Sequence, residues 1–276
     1  MFHMFCLAKS FLFCRFLVDH ERKIAYCEIP KVASTTWRTI MVNETGRCPI
    51  ITRDMDMKRR IPDDGFIRCA QLKYERYTDT LKTYTKFVVL RHPLDRLLSA
   101  YHDKAFIHNT KDGRVVIYNK FESLVQFSME RQNLKGPFTL EEIQSHYVPF
   151  DHFVEYMLHH GDSYWTSYAQ KCGLCHMDYD VIMRTESLGP DSANFLHKYY
   201  PKTSELPAFH QLQKVQSSQH VVQQKALKEF ESINGTLMAA IMKKYRLDLE
   251  MYGYHFDQDS NTASCAMHFP DGDVCC

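Results

Sequence analysis

The stretch Ile24–Trp37, IAYCEIPKVASTTW, decides the fold, because it reads as a strand, a short loop and the first turn of a helix. Ile24, Tyr26 and Ile29 give the strand its apolar pattern, and Pro30 ends it. Ser34, Thr35 and Thr36 are residue types that cap helices, which starts a helix over TTWRTIMV. A helix entered in this way presents backbone N–H groups at the positive end of its dipole, and Lys31 and the hydroxyls stand beside them. Such a turn suits a phosphate or a sulfate. It is not a Walker A loop, since GxxxxGK[ST] is absent and Lys31 precedes the hydroxyls. Taken alone, the same residues also describe an ordinary capped strand-to-helix turn.

A second junction follows the same plan. Phe87–Leu90, FVVL, is a short continuous apolar run of the kind buried on both faces of a parallel sheet, and it leads directly into RHPLDRLLSAY from Arg91 to Tyr101. Pro93 suits a first helical turn, and Leu94, Leu97, Leu98 and Tyr101 fall on one stripe of a helix reaching about Phe106. Arg91 then stands at the carboxyl end of the strand and Ser99 about two turns into the helix, so that guanidinium and hydroxyl together suit an anion. Ligands of open α/β sheets bind at this edge. The competing reading makes Arg91 a structural ion pair and turns Ser99 toward a neighbouring helix.

Working outward, Phe11–Val18 reads as a strand pairing with Ile24–Ile29 across the polar turn Asp19–Lys23, and Asn43–Gly65 as a charged excursion that faces substrate. Phe121–Arg131 and Thr139–His160 read as helices, the second broken near Pro149. Tyr179–Met183 with Arg184-Thr185-Glu186 and a helix over Asp191–Tyr200 makes a third strand–turn–helix unit. Gln216–Tyr245 is helical with a break at Asn234-Gly235, and the tail after Tyr254 is polar and loop-like. The pattern is α/β, three layers with a central, mainly parallel sheet flanked by helices.

The 276 residues, 45% of them hydrophobic, are enough for a full core, and one compact domain is expected over 16–256. Residues 1–15 read as an N-terminal extension or a marginal anchor, because the apolar run Phe2–Val18 is interrupted by Lys9 and Arg15; 257–276 is a polar, cysteine-containing tail. A net charge of +1 excludes a global pull on nucleic acid or anionic membrane and leaves only local clusters such as Lys58-Arg59-Arg60 and Lys243-Lys244-Arg246. Ten cysteines and two sequons, Asn43-Glu44-Thr45 and Asn234-Gly235-Thr236, tilt the chain toward the secretory pathway. Cys172-Gly173-Leu174-Cys175 is open to three readings, a redox pair, half a zinc site or a disulfide contributor; no second pair follows at zinc-finger spacing, which favours a disulfide or a structural thiol.

With both junctions in order, the chain resembles the Golgi carbohydrate sulfotransferases of the HNK-1 and chondroitin/dermatan 4-O-sulfotransferase group. Pro30-Lys31-Val32-Ala33-Ser34-Thr35-Thr36-Trp37 is similar to their 5′-phosphosulfate loop, and Arg91 through Ser99 to their 3′-phosphate motif. Cys172-x-x-Cys175-x-x-x-Tyr179-Asp180 with Arg184-x-Glu186, and Tyr245-Arg246-Leu247-Asp248 with Tyr252-Gly253-Tyr254, resemble two further family segments, although Arg184 stands where many relatives have lysine. The resemblance implies a P-loop-like sulfotransferase fold and sulfonate transfer from 3′-phosphoadenosine 5′-phosphosulfate to a glycan hydroxyl, chondroitin-like or glycoprotein-linked, in the Golgi lumen. It implies a donor site of Lys31, Val32, Ala33, Ser34, Thr35, Thr36, Trp37, Arg91, Arg96 and Ser99, with Lys31 stabilising the departing phosphate.

Within that site, Arg96 either assists or faces solvent, and Trp37 either packs against the nucleotide or is a core aromatic. The acceptor hydroxyl needs a base, for which His92, His102, Asp54, Asp63 and Asp64 are candidates; His102 is preferred for its place on the second-motif helix. The chemistry requires no metal and no nucleic acid, and a membrane enters only through the N-terminal run. A nucleotide-dependent phosphotransferase and a catalytically silent glycan-binding protein of the same fold are the alternatives. The missing glycine-rich loop argues against the first, and intact Lys31, Arg91 and Ser99 against the second.

Overall fold

Phe87, Val88, Val89 and Leu90 are wholly buried, and the strand they end lies between parallel neighbours on both sides, as an unbroken apolar run demands. The computed structural model describes residues 15–45, 66–68, 82–105, 108–109, 115–116, 121–173, 177–203, 229–257 and 262–264. In chain order these form β1 (Arg15–Asp19), β2 (Ile24–Cys27), α1 (Ser34–Thr45), β3 (Phe66–Arg68), β4 (Thr85–Leu90), α2 (Pro93–Lys104), β5 (His108–Asn109) and β6 (Val115–Val116). They continue as α3 (Glu122–Arg131), α4 (Leu140–Ser145), α5 (Phe150–His159), α6 (Tyr168–Cys172), β7 (Val181–Arg184), α7 (Leu188–Tyr199), α8 (Gly235–Tyr252), β8 (His255–Asp257) and β9 (Thr262–Ser264). The chain packs as two compact units, Met1–Arg91 with Thr166–Ser217, and His92–Trp165 with Ser218–Cys276.

The first unit is built on a five-stranded sheet in the order β3-β1-β2-β4-β7. β2, β4 and β7 are parallel, while β1 runs antiparallel to β2 and β3, so the expected hairpin across Asp19–Lys23 is present. Asp19 holds that turn, its carboxylate accepting from the N–H groups of Glu21 and Arg22 at 3.1 and 3.0 Å. Residues 11–14 of the expected first strand lie outside the described residues.

Strand alternation sorts the side chains into two layers. Tyr26 and Phe87 are in register and stack at 4.6 Å, with Trp37 of α1 and Phe195 of α7 packed on Phe87 at 5.0 and 4.7 Å. Cys27 points the other way and is bonded to Cys172 of α6, and Phe16, its partner across β1, stacks on Tyr179. Helices α1 and α7 therefore cover one face, and α6 with the Tyr179 segment covers the other.

In the second unit α5 packs against α3 and α8, and α8 also packs against α2. Phe150, Phe153, Tyr101 and Trp165 fill the space between them. The break expected near Pro149 separates α4 from α5, and α4 opens with a capping box between Thr139 and Glu142. Two expectations differ from the structure. The last helix continues past Tyr245 to Tyr252, because Asn234 caps its start and the left-handed Gly253, φ 61°, supplies its stop. The tail after Tyr254 includes a short hairpin, β8–β9, where a loop was expected.

Candidate functional site

Parallel pairing of β2, β4 and β7 aligns their carboxyl ends, and a basic residue follows or closes each: Lys31, Arg91 and Arg184. At the first end the chain leaves β2, passes Pro30 and turns sharply, with Lys31 at φ 71° and Ala33 at φ 62°. Left-handed backbone costs a residue with a Cβ about 1–2 kcal/mol, so two such residues around a buried Val32 mark a turn held by its surroundings. Backbone that alternates between right- and left-handed residues is one way in which proteins build an anion-binding concavity.

The N–H of Trp37 donates to the carbonyl of Ala33 at 3.2 Å, which makes Ala33 the cap position. This corrects the expectation for Ser34, Thr35 and Thr36. They are the first helical residues, not its caps, and what they offer is backbone N–H groups without an acceptor inside the helix. Thr35 is exposed and Ser34 half-buried, whereas Thr36 is buried. Of the two readings of Trp37, the structure has the core one: the ring is wholly buried against Tyr26, Phe87 and Phe195.

Arg91 follows β4, and its guanidinium reaches back to the first turn, Nη1 lying 3.5 Å from the Lys31 carbonyl oxygen at the outer limit of a hydrogen bond. The two basic turns thus meet within one unit. Arg91's own backbone is gripped from α6: its N–H donates to the Tyr168 hydroxyl at 3.1 Å, and that hydroxyl donates to its carbonyl at 2.7 Å. Leu90 and Arg184 are in register, and the Leu90 carbonyl accepts from Thr185 N–H at 2.8 Å. Sequence reasoning did not single out Tyr168, because a five-residue helix carries no periodic signal; the cue was Cys172, one turn away on the same helix.

The motif around Cys172 is structural. Cys172 bonds to Cys27, with Cα atoms 6.0 Å apart, and so takes the disulfide reading; Cys175 lies outside the described residues. The Tyr179 hydroxyl donates to the Cys172 carbonyl at 2.8 Å. Asp180 accepts from Lys86 N–H at 2.7 Å and pairs with the Lys86 ammonium at 3.0 Å.

In the second unit, His92 caps α2 by accepting from Leu94 N–H at 3.3 Å, and is buried edge-on to Tyr254. Leu94, Leu97, Leu98 and Tyr101 are buried as their stripe predicts. Arg96 is buried too, only 1% exposed, and its guanidinium donates to the Ser163 carbonyl at 3.2 Å. This corrects the solvent-facing alternative for Arg96 and sets it apart from Ser99. Asp95, Ser99 and His102, spaced four and three residues apart, share the opposite, open stripe, where Ser99 is half-buried and His102 exposed.

The closing motif also holds the fold. The Tyr245 hydroxyl donates to the Trp165 carbonyl at 2.8 Å, and Lys244 is pushed below its ordinary pKa by burial and by the Arg96 charge, against the pull of Asp248. Exposed Arg246 pairs with Glu250 at 2.9 Å, and exposed Asn234 spends its side-chain oxygen on Leu237 N–H.

Among the described residues no group of three or more His, Cys, Asp or Glu is placed to hold a metal, and no helix is long and apolar enough to cross a membrane. A cavity of about 430 Å³ in the second unit, lined by Met129, Phe138, Glu142, His146 and Tyr147 among others, contains none of the expected donor residues. Asp54, Asp63 and Asp64 and the basic run Lys58-Arg59-Arg60 lie outside the described residues, as does all of the expected acceptor loop after Thr45.

The chain is similar to known carbohydrate sulfotransferases. Carbohydrate sulfotransferase 11 of Danio rerio is 27% identical over 251 residues, 86% of this chain and 66% of that protein. Carbohydrate sulfotransferase 10 of Homo sapiens is 26% identical over 203 residues, 68% of this chain and 53% of that protein. The chain therefore spans between half and two thirds of the length of these relatives. No solved structure matches. The profile described as the Sulfotransferase family matches residues 14–255, from the first strand to the end of the second unit's long helix and beyond, and the chain belongs to that family.

Proposed function

We propose that this chain is a carbohydrate O-sulfotransferase, with residues 16–256 as its catalytic domain, moving a sulfonate group from 3′-phosphoadenosine 5′-phosphosulfate to a hydroxyl of a chondroitin-like or glycoprotein-linked glycan in the Golgi lumen. The observation that carries the reading is the meeting of the Arg91 guanidinium with the left-handed Lys31–Ala33 turn at the carboxyl edge of a parallel sheet. The residues present fit such a donor: the turn carries the Lys31 ammonium and leads into the N–H groups that start α1, the Arg91 guanidinium reaches the turn's backbone, and an anion gains from groups of each kind.

When bound, the donor supplies an activated sulfonate whose leaving group is a phosphate. Lys31 and the N–H groups from Ala33 to Thr36 stabilise the negative charge that grows on that leaving group. Val32 and Trp37 support the turn from the core, a role their complete burial favours. Arg91 and Ser99 hold the 3′-phosphate, which separates this donor from ATP. His102, on the Ser99 stripe, removes the acceptor proton.

Lys31→Ala and Arg91→Ala are each expected to lower transfer at least about 100-fold while the protein stays folded, the cost of losing one charge-stabilising group. The measurement is transfer of labelled sulfonate to a panel of desulfated glycans. Thermal shifts with the 3′,5′-bisphosphate product and with magnesium ATP accompany it. Near-normal transfer by either variant overturns the assigned roles, and a shift with ATP alone overturns the choice of donor.

A further inference from the structure

We propose that Tyr168 is a positioning residue for the donor site, and that α6 is the brace that holds the two basic turns in one arrangement; the inference rests on the donor reading above. The last β2–β4 pair is Cys27 with Val88, so the ladder on that side stops before Arg91. Beyond it β2's continuation turns away through Pro30, which has no N–H to donate. The Tyr168 hydroxyl takes the place of the missing strand. It accepts from Arg91 N–H and donates to Arg91 C=O, using both of its hydrogen-bonding capacities on one residue's backbone.

Four positions further along α6, Cys172 is bonded to Cys27, three residues before Pro30. The same short helix therefore grips the exit of β4 by a hydroxyl and the exit of β2 by a covalent bond. Ser167 caps its start and the left-handed Gly173, φ 59°, ends it, so the helix is held to this length. Tyr168 is wholly buried, so it meets the donor only through Arg91. With the Arg91 backbone fixed, the long side chain starts from one direction and arrives over the Lys31 carbonyl. Without the hydroxyl, Arg91 N–H and C=O lose these partners and the guanidinium samples other directions.

The test is Tyr168→Phe, which keeps the ring and removes the hydroxyl. The comparison variant is Tyr245→Phe, which loses a hydroxyl bonded to the Trp165 carbonyl in the other unit. Tyr168→Phe is expected to bind the 3′,5′-bisphosphate product about tenfold more weakly and to raise the donor KM by a similar factor, the effect of about 1.4 kcal/mol. Acceptor KM and kcat stay near wild type. Tyr245→Phe changes none of these.

Unchanged bisphosphate affinity in folded Tyr168→Phe overturns the proposal, as does a fall in all constants that Tyr245→Phe reproduces. A measurement on the wild type guards against a variant that does not fold: the Arg91 amide is expected to exchange slowly with solvent before any ligand is added, and fast exchange there also overturns the brace. If the wild type itself binds no bisphosphate, the donor reading falls and this inference with it, an outcome distinct from loss in the variant alone.

Discussion

Ala33 shows how much one dihedral angle is asked to do. Its methyl group tolerates the left-handed region at a cost that a β-branched side chain would increase, and its carbonyl must still accept from Trp37 to start α1. Ala33→Val is expected to destabilise the protein by about 1–2 kcal/mol in a urea titration, and to weaken bisphosphate binding because the turn relaxes toward extended backbone. Ala33→Gly retains both properties. A valine variant with wild-type stability and affinity would mean that the turn does not need this conformation. Lys31, also left-handed, carries the same backbone cost and the charge besides, so Lys31→Ala separates the ammonium from the turn, which Ala33→Val cannot do.

At the scale of elements, the strands position and the short connections act. β7 is fixed to β4 at both ends, by Thr185 N–H on the Leu90 carbonyl and by Asp180 on Lys86. Partial burial works to raise the Asp180 pKa, and the hydrogen bonds and charge of Lys86 outweigh it, leaving the carboxyl below its ordinary value. The sign follows directly: a carboxyl depressed in the folded state contributes stability above its unfolded pKa, about 3.9, and loses it as pH falls through the folded value. Asp180→Asn is therefore expected to lower the denaturant midpoint slightly at pH 7, the Asp180 side chain being half-exposed, with the difference closing as pH falls below the folded pKa. A gap that persists at low pH would assign the loss to packing instead of charge.

At the scale of the whole molecule, one covalent bond joins residues 145 positions apart, both within the first unit and on either side of residues 92–165 in the sequence. Replacing Cys27 and Cys172 together by alanine is expected to cost about 2–4 kcal/mol of stability, read as a lower denaturant midpoint that the wild type reproduces when reduced. Equal midpoints for oxidised and reduced wild type would show that the bridge contributes nothing.

Much of this architecture was legible in local sequence. FVVL reads as a strand buried on both faces and is one, Pro93 and the leucine stripe define α2, and the Lys31 and Arg91 junctions stand out because charge, turn and helix start lie within a few residues of each other. What local sequence could not carry was partnership across distance. That Arg96 is buried on Ser163, that Trp37 closes the aromatic layer with Phe195, that Cys172 pairs with Cys27, and that Tyr168 grips Arg91 all join residues far apart in the chain. Period and propensity record only near neighbours along the backbone, so the sequence by itself determined the elements and the chemistry of each turn. Which residues hold those turns, and which basic side chains are left facing outward, was decided by tertiary packing, where burial and hydrogen-bond satisfaction set the outcome.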